Sequence, residues 1–194
     1  FSPNLAETFS QVFVEDGGEI VEATTYSGVV KDYTAQLAPI AAVSPDVLFL
    51  PNYASWVNTA AAQARQMGIK AILLGWDGWS QGLDEQAVKS GYYCTEFTAL
   101  APQVQAFLEA YEARFSSEAN LFAALGYDAT QVLLDAIEEA GTTNVADVQR
   151  ALLDSTFQGL TGPIYFDQVG QAHKNLALVQ VEDGEQRFVA YISP

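Results

Sequence analysis

The fold is decided by residues 45–79, which read PDVLFLPNYASWVNTAAAQARQMGIKAILLGWDGW. Two short, unbroken apolar runs, residues 47–50 and 71–74, are typical of strands that are covered on both faces. Between them, apolar residues recur at helical spacing until Gly68, so this stretch predicts a helix. A strand, a helix and a second strand in this order predict parallel strands joined by a right-handed crossover.

The residues before this stretch continue the alternation of helices and strands. Ser2-Pro3 is typical of a helix start, and the helical spacing that follows stops at Gly17-Gly18. Residues 19–26 alternate as a strand, and residues 32–43 predict a helix that ends before Ser44-Pro45. This order predicts an α/β fold with an open, mainly parallel sheet and helices on both faces.

The second half of the chain changes in character along its length. A strand is predicted over residues 91–97, and a helix opens at Pro102. A regular helical stripe ends at Gly141, and a further helix begins at Asn144. From Phe157 onward strands and turns dominate, so the C-terminal segment is predicted to differ from the alternating part.

Composition excludes several classes of function. The 194 residues include 8 Lys and Arg against 24 Asp and Glu, a formal charge of −16 that should repel nucleic acid and anionic lipid. No run approaches the roughly 18 apolar residues that cross a bilayer, so we expect no direct membrane insertion. The single cysteine, Cys94, excludes an internal disulfide, and we interpret it as a buried, inert thiol. Because the chain opens with Phe1, we expect a processed or partial product.

Candidate binding residues follow the two apolar strands. In open parallel sheets, ligands bind beyond the carboxyl ends of the strands, where this chain has Pro51-Asn52-Tyr53 and Gly75-Trp76-Asp77-Gly78-Trp79. A carboxylate between two tryptophans can hold an ammonium group by charge pairing and cation–π attraction. The alternative is that Asp77-Gly78 forms a turn and both tryptophans belong to the core.

One pattern in the same loop suggests an enzyme. Residues 78–82 match the G-x-S-x-G nucleophile elbow around Ser80, and Asp167 and the only histidine, His173, follow in hydrolase order. However, Ser80 lies several residues after the predicted strand, whereas an elbow serine follows its strand directly. We interpret His173 as a solvated loop residue. No phosphate loop, dinucleotide fingerprint or zinc helix is present, so we expect no catalysis, no cofactor and no metal.

Several stretches resemble the branched-chain amino-acid group of type I periplasmic binding proteins, which includes leucine, isoleucine and valine binders as well as amide- and urea-binding members. The resemblance runs through essentially the whole chain, and the C-terminal hairpin phrase is its most specific part. The stretches that carry it are Asp32-Tyr33 with Leu37 and Ile40, residues 45–50, residues 63–69, Gly126-Tyr127-Asp128-Ala129, and residues 157–167 with Gly170.

This resemblance implies a two-lobed protein that closes on a small ligand and delivers it to the membrane permease of an ABC importer. It further implies export to the periplasm or the extracellular side. The chain resembles only the C-terminal portion: residues 1–117 would form most of lobe two, residues 118–175 would return to lobe one, and residues 176–194 would cross back. The same fold also serves as the ligand-sensing domain of receptors and amide-type regulators, which is the alternative function.

The resemblance also implies roles for particular residues. Asp77 falls where the family places a carboxylate that pairs with the α-ammonium group of the ligand. Tyr53 would line the cleft, Phe122 would contact the ligand from the hinge side, and Phe1 would occupy the place of a pocket aromatic. Trp76 stands beside Asp77 where leucine binders carry a proline, so an aliphatic amino acid is not assumed as the ligand.

Overall fold

The structure is a computed structural model that describes residues 2–26 and 30–193. The chain divides into two compact units, called unit 1 and unit 2. Unit 1 contains Phe1–Cys94 and Val179–Arg187, and unit 2 contains Thr95–Leu178 and Phe188–Pro194. The expected lobe boundaries concern the whole two-lobed protein, and they stay a prediction.

Helices and strands alternate through the first half of the chain and strands dominate its end. Within the described residues the helices are α1 (Ser2–Glu15), α2 (Thr34–Val43), α3 (Ala54–Gln66), α4 (Glu85–Val88), α5 (Gln105–Phe115), α6 (Leu121–Ala140) and α7 (Val145–Asp154). The strands are β1 (Val47–Phe49), β2 (Ile72–Gly75), β3 (Ser90–Thr95), β4 (Thr156–Gly159), β5 (Gly162–Phe166), β6 (Ala172–Lys174), β7 (Leu176–Glu182) and β8 (Glu185–Ile192). Short 3-10 helices cover Asp77–Trp79 and Pro102–Val104.

The larger sheet has the strand order β1-β2-β3-β7-β8. β1 pairs in parallel with β2, with Val47 opposite Ile72, and β2 pairs in parallel with β3, with Leu73 opposite Gly91. Helices α3 and α4 lie in the two crossovers. The α/β class and the mainly parallel sheet predicted from the sequence are therefore confirmed.

Small side chains fit α3 into the core of unit 1. Val57, Ala61 and Ala64 are buried on one stripe of this helix, as its helical spacing predicts. They belong to the same cluster as Leu73 of β2 and Val179 of β7, both of which are fully buried. Alanines at this contact let the helix approach closely, so α3 and the strand ends beside it have fixed positions.

Arg65, in the last turn of α3, ties the helix to the beginnings of β2 and β3. Its guanidinium group donates five hydrogen bonds of 2.8–3.1 Å to the backbone carbonyls of Ile69, Ala71, Val88 and Ser90. Burial lowers the pKa of Arg65. Because the flat guanidinium group offers all its donors in one fork, it can satisfy four carbonyls that meet at this end of the sheet.

Unit 2 contains α6, α7 and a three-stranded antiparallel sheet with the order β4-β5-β6. Phe157 of β4 lies opposite Ile164 of β5, and both side chains pack with Val132 of α6 and Val148 of α7. This hairpin is the C-terminal phrase on which the family resemblance depends most.

A buried ion pair also joins α6 to this sheet. Oδ2 of Asp128 lies 3.1 Å from Nζ of Lys174. Oδ1 of Asp128 accepts a hydrogen bond of 2.8 Å from the backbone N–H of Leu160. A Cβ at Gly159 would lie 2.9 Å from Oδ2 of Asp128, so only glycine gives this carboxylate room.

The strand predicted over residues 19–26 is wrong. This segment has no regular secondary structure, and it lines a cleft beside β1. An alternating pattern favours an extended backbone, but a strand also needs a partner edge within hydrogen-bonding distance. The predicted strand at residues 91–97 is shorter than expected, because β3 ends at Thr95 and Phe97 packs in a core cluster of unit 2.

Candidate ligand-binding site

The loops that follow β1 and β2 are in direct contact. A Cβ at Gly78 would lie 2.8 Å from the carbonyl oxygen of Asn52 and 3.2 Å from Cα of Tyr53. The indole Nε1 of Trp79 donates a hydrogen bond of 3.1 Å to the carbonyl of Leu50. The two loops that the sequence singled out therefore form one surface at the carboxyl ends of adjacent parallel strands.

The two tryptophans of the second loop have different surroundings. Trp79 is 0% exposed, and its indole ring packs so closely on Gly75 that a Cβ there would overlap it. Trp76 has an extended backbone and a partly exposed side chain next to Asp77. The core interpretation is thus correct for Trp79, and only Trp76 is available to a ligand.

Asp77 begins the short 3-10 helix directly after β2. Its Oδ1 accepts a hydrogen bond of 2.9 Å from the backbone N–H of Gly78. Burial raises the pKa of Asp77, and the hydrogen bond from Gly78 opposes this change. Within residues 2–26 and 30–193, no Lys, Arg or His side chain forms an ion pair with Asp77. A partly desolvated carboxylate without a cation can pair with a cationic ligand group.

Tyr53 occupies the position immediately before α3 and has an extended backbone. Its side chain is 57% exposed, and its backbone N–H donates a hydrogen bond of 2.8 Å to Oδ1 of Asn52. Nδ2 of Asn52 in turn donates to the hydroxyl of Tyr26. Sequence reasoning passed over the role of Asn52 in holding this loop, although its position at a strand end was the available signal.

Of the two other predicted site residues, the structure describes Phe122. Phe122 is the second residue of α6 in unit 2, and 71% of its surface is exposed. The side chain of Asn120 begins this helix by accepting a hydrogen bond of 3.0 Å from the N–H of Ala123. Phe1 lies outside the described residues. The roles of Asp77, Tyr53, Trp76, Phe122 and Phe1 in ligand binding stay predictions.

The serine hydrolase pattern lacks the geometry of a nucleophile elbow. Ser80 follows the 3-10 helix with φ −63° and ψ −15°, whereas an elbow serine occupies a strained turn directly after its strand. Ser80 belongs to unit 1, while Asp167 and His173 belong to unit 2. Nε2 of His173 lies 3.3 Å from Oδ2 of Asp167, and the ring stacks on Tyr165. The interpretation of His173 as a solvated loop residue is wrong, because β6 and these two contacts hold it.

Among the described residues, no three His, Cys, Asp or Glu side chains group closely enough to hold a metal ion. No helix in this part of the chain has the length and apolar character needed to span a membrane. Cys94 is partly buried, and burial raises the pKa of its thiol, which disfavours the reactive thiolate.

A mainly parallel sheet is typical of α/β proteins that bind small molecules when its carboxyl edge carries aromatic side chains and, among the described residues, a carboxylate without an ion-pair partner. The chain belongs to the periplasmic binding protein family, whose sequence profile matches residues 1–186. The resemblance seen in the sequence is thereby confirmed.

Three relatives are named for amino acids or were solved with one. A leucine-, isoleucine-, valine-, threonine- and alanine-binding protein of Pseudomonas aeruginosa is 25% identical over 167 residues, which cover 81% of this chain and 44% of that protein. The leucine-binding protein LivK of Thermotoga maritima is 30% identical, with a TM-score of 0.80 over 100% of this chain and 57% of LivK. The substrate-binding protein LivJ of Streptococcus pneumoniae, solved with isoleucine, is 26% identical, with a TM-score of 0.76 over 97% of this chain and 57% of LivJ. The chain thus spans about half the length of these relatives.

Proposed function

We propose that this chain is part of the solute-binding component of an ABC importer, which binds an amino acid or a related small ligand between two lobes. The family and the amino-acid ligands named for its relatives support this proposal. The whole protein would be exported to the periplasmic or extracellular side, and it would deliver its ligand to a membrane permease. It would bind the ligand without transforming it.

The carboxylate of Asp77 carries the proposal. It lies partly buried at the end of β2 with one backbone hydrogen bond, and no cationic side chain among the described residues pairs with it. An ammonium group of the ligand would supply the missing positive charge. The faces of Trp76 and Tyr53 would add cation–π attraction, worth about 0.5–2 kcal/mol for each well-placed ring.

We further propose that residues 118–175 belong to lobe one, between the lobe-two segments 1–117 and 176–194. The exposed face of α6 supports this assignment. Phe122, Gly126, Ala129 and Leu133 follow one another at helical spacing, and all four are exposed. Since the other side of α6 is already buried, the helix has two apolar faces, a pattern typical of a helix between two layers. The remainder of lobe one would cover this second face.

The binding proposal is tested by calorimetry on the whole protein with leucine and isoleucine. Asp77→Asn should weaken binding by about 100-fold, because a desolvated charge pair is worth about 2–5 kcal/mol. Asp16→Asn, at an exposed turn after α1, is the matched control and should leave affinity unchanged. Unchanged affinity in a correctly folded Asp77→Asn protein would remove Asp77 from the site.

A further inference from the structure

Three hydrogen-bonded side chains connect α4, β3 and β8 within unit 1. The hydroxyl of Tyr93 in β3 donates a hydrogen bond of 2.6 Å to Oε1 of Gln186 in β8. Nε2 of Gln186 donates in turn to Oε1 of Glu85 in α4. We call Glu85, Tyr93 and Gln186 the polar network. It joins three elements of one unit, although Glu85 and Gln186 are 101 residues apart in the sequence.

The turn between β7 and β8 fixes the position of Gln186 relative to α4. The N–H of Asp183 in this turn donates a hydrogen bond of 3.1 Å to the carbonyl of Lys89, just after α4. Gly184 has φ +83°, and its backbone lies so close to the side chain of Gln86 that a Cβ would overlap it. The C-terminal hairpin is therefore held against α4 at the point where Gln186 enters the polar network.

The register of the larger sheet places Tyr93 beside residues 75–79, which we call the ligand loop. Tyr93 of β3 lies opposite Gly75, the last residue of β2. The indole of Trp79 packs on Gly75, and its ring centroid lies 6.1 Å from that of Tyr93. Trp79 and Tyr93 are 0% and 2% exposed. Because interiors are close-packed, a shift of one of these rings displaces the other.

The position of Trp79 in turn determines that of Asp77. The N–H of Trp79 donates a hydrogen bond of 2.9 Å to the carbonyl of Trp76, which closes the short 3-10 turn that contains Asp77. The indole Nε1 of Trp79 donates to the carbonyl of Leu50, at the end of β1. A displaced indole would therefore move this turn, and the carboxylate of Asp77 would move with it.

The hydroxyl of Tyr93 is a permanent donor in the polar network. Burial raises the pKa of Tyr93, and the nearby charge of Glu85 raises it further, so the hydroxyl stays protonated at neutral pH. A buried hydroxyl that loses its acceptor is costly, so Gln186 holds the ring of Tyr93 in one position.

We propose that Tyr93 and Gln186 are positioning residues of the amino-acid site, whose hydrogen bond fixes the Tyr93 ring, hence the Trp79 indole and the carboxylate of Asp77. This inference rests on the proposed function, because it concerns the site that Asp77 defines. It gives the C-terminal hairpin a part in ligand binding that its distance in sequence from the ligand loop conceals.

The neighbouring Tyr92 provides a matched control. Its hydroxyl accepts a hydrogen bond of 3.2 Å from Nε2 of Gln180 in β7. Successive residues of a strand point to opposite faces of the sheet, so the side chain of Tyr92 lies on the face away from Trp79. Tyr92→Phe therefore removes one hydroxyl from β3 and one hydrogen bond to a glutamine, as Tyr93→Phe does, and leaves the contact with Trp79 in place.

The first measurement needs no ligand. Hydrogen exchange of the Trp79 indole N–H is followed by NMR on the whole protein. Tyr93→Phe should speed this exchange about 5-fold, the equivalent of one lost buried hydrogen bond, whereas Tyr92→Phe should leave it unchanged. Gln186→Met keeps the length of the side chain and removes both of its hydrogen bonds, so it should act like Tyr93→Phe.

The second measurement is calorimetry on the whole protein with leucine and isoleucine. Tyr93→Phe and Gln186→Met should each weaken binding by about 3- to 10-fold, since the coupling does not exceed the lost hydrogen bond. Tyr92→Phe should leave affinity unchanged. Asp128→Asn, which weakens unit 2, should also leave it unchanged and so controls for loss of stability alone.

The pH dependence of leucine binding separates positioning from a general loss of packing. Burial raises the pKa of Asp77, and binding needs the ionised carboxylate. A looser ligand loop exposes Asp77 to water and brings its pKa back toward the ordinary value. In Tyr93→Phe protein, the acid loss of affinity should therefore occur at a lower pH than in wild type, whereas in Tyr92→Phe protein it should not shift.

Two results would overturn the proposal. One is an unchanged exchange rate of the Trp79 indole in Tyr93→Phe protein, and the other is equal leucine affinity of the Tyr93→Phe and Tyr92→Phe proteins. Failure of the proposed function has a different signature. The whole wild-type protein would then bind neither amino acid, which would also remove Tyr93 and Gln186 from such a site, while the indole exchange rates of the two variants would still differ.

Discussion

Replacing Asp128 by alanine should destabilise unit 2 strongly. Asp128 is 4% exposed, and its two oxygens serve Lys174 at 3.1 Å and the N–H of Leu160 at 2.8 Å. The Lys174 side chain is itself only 13% exposed. The substitution therefore leaves an ammonium group and a backbone donor without their partner in a largely dry environment.

The size of the effect follows from these distances. At 3.1 Å, with an effective dielectric constant of about 20, the ion pair attracts by about 5 kcal/mol. The unpaired N–H of Leu160 costs a further ~1–3 kcal/mol if no water reaches it. Movement of the flexible Lys174 side chain toward water recovers part of this, so we expect a net loss of about 3–5 kcal/mol.

The assay is guanidinium unfolding followed by far-UV circular dichroism. Asp128→Asn keeps an acceptor for Leu160, so its loss should be smaller than that of Asp128→Ala by about 1 kcal/mol. Asp147→Asn is the control, because Asp147 pairs with Arg150 at 3.2 Å on an exposed surface. That change should cost less than about 1 kcal/mol. If Asp128→Ala costs no more than Asp147→Asn, the buried pair does not hold α6 to the hairpin and the reasoning fails.

Three further substitutions or conditions test other parts of the structure. Arg65→Lys should lower the free energy of unfolding by about 2–3 kcal/mol in thermal unfolding, since lysine cannot make all five backbone hydrogen bonds. The control Arg114→Lys, at an exposed position, should change it by under about 0.5 kcal/mol. Gly75→Ala should lower the free energy of unfolding by about 1–3 kcal/mol, because the new Cβ would meet the buried indole of Trp79. Gly126→Ala, on an open helix face, should raise it by about 0.5–1 kcal/mol. In the whole protein, acidification should weaken amino-acid binding, because protonation removes the charge of Asp77. Burial raises the pKa of Asp77, so the loss of affinity should begin at a higher pH than for an ordinary aspartate. Affinity that is unchanged down to pH 4 would contradict this.

Local pattern was enough to predict most elements. The continuous apolar runs became β1 and β2, and the helical stripe between them became α3 with its predicted residues buried. These predictions succeed because the side chains of a helix or a strand return to the same face at a regular spacing, which can be read from the sequence. The place of Asp77 just beyond β2 follows from the same local order.

Contacts between elements decided the rest. The alternation in residues 19–26 is that of a strand, yet whether it pairs depends on the edge of β1, which is distant in sequence. Trp76 and Trp79 are equivalent in the sequence, and only the close packing of one indole on Gly75 separates the core residue from the available one. His173 likewise lies in a polar stretch, but contacts with Asp167 and Tyr165 hold it in β6.

The sequence by itself therefore determined the α/β class, the family and the strand end at which Asp77 lies. The tertiary structure decided which side chains at that end are exposed, and that Arg65 and Asp128 join separate elements. The physical reason is that periodicity reports how a segment buries one of its own faces. The hydrogen bonds of Arg65 and Asp128 instead join segments that are far apart in the chain, so local periodicity does not report them.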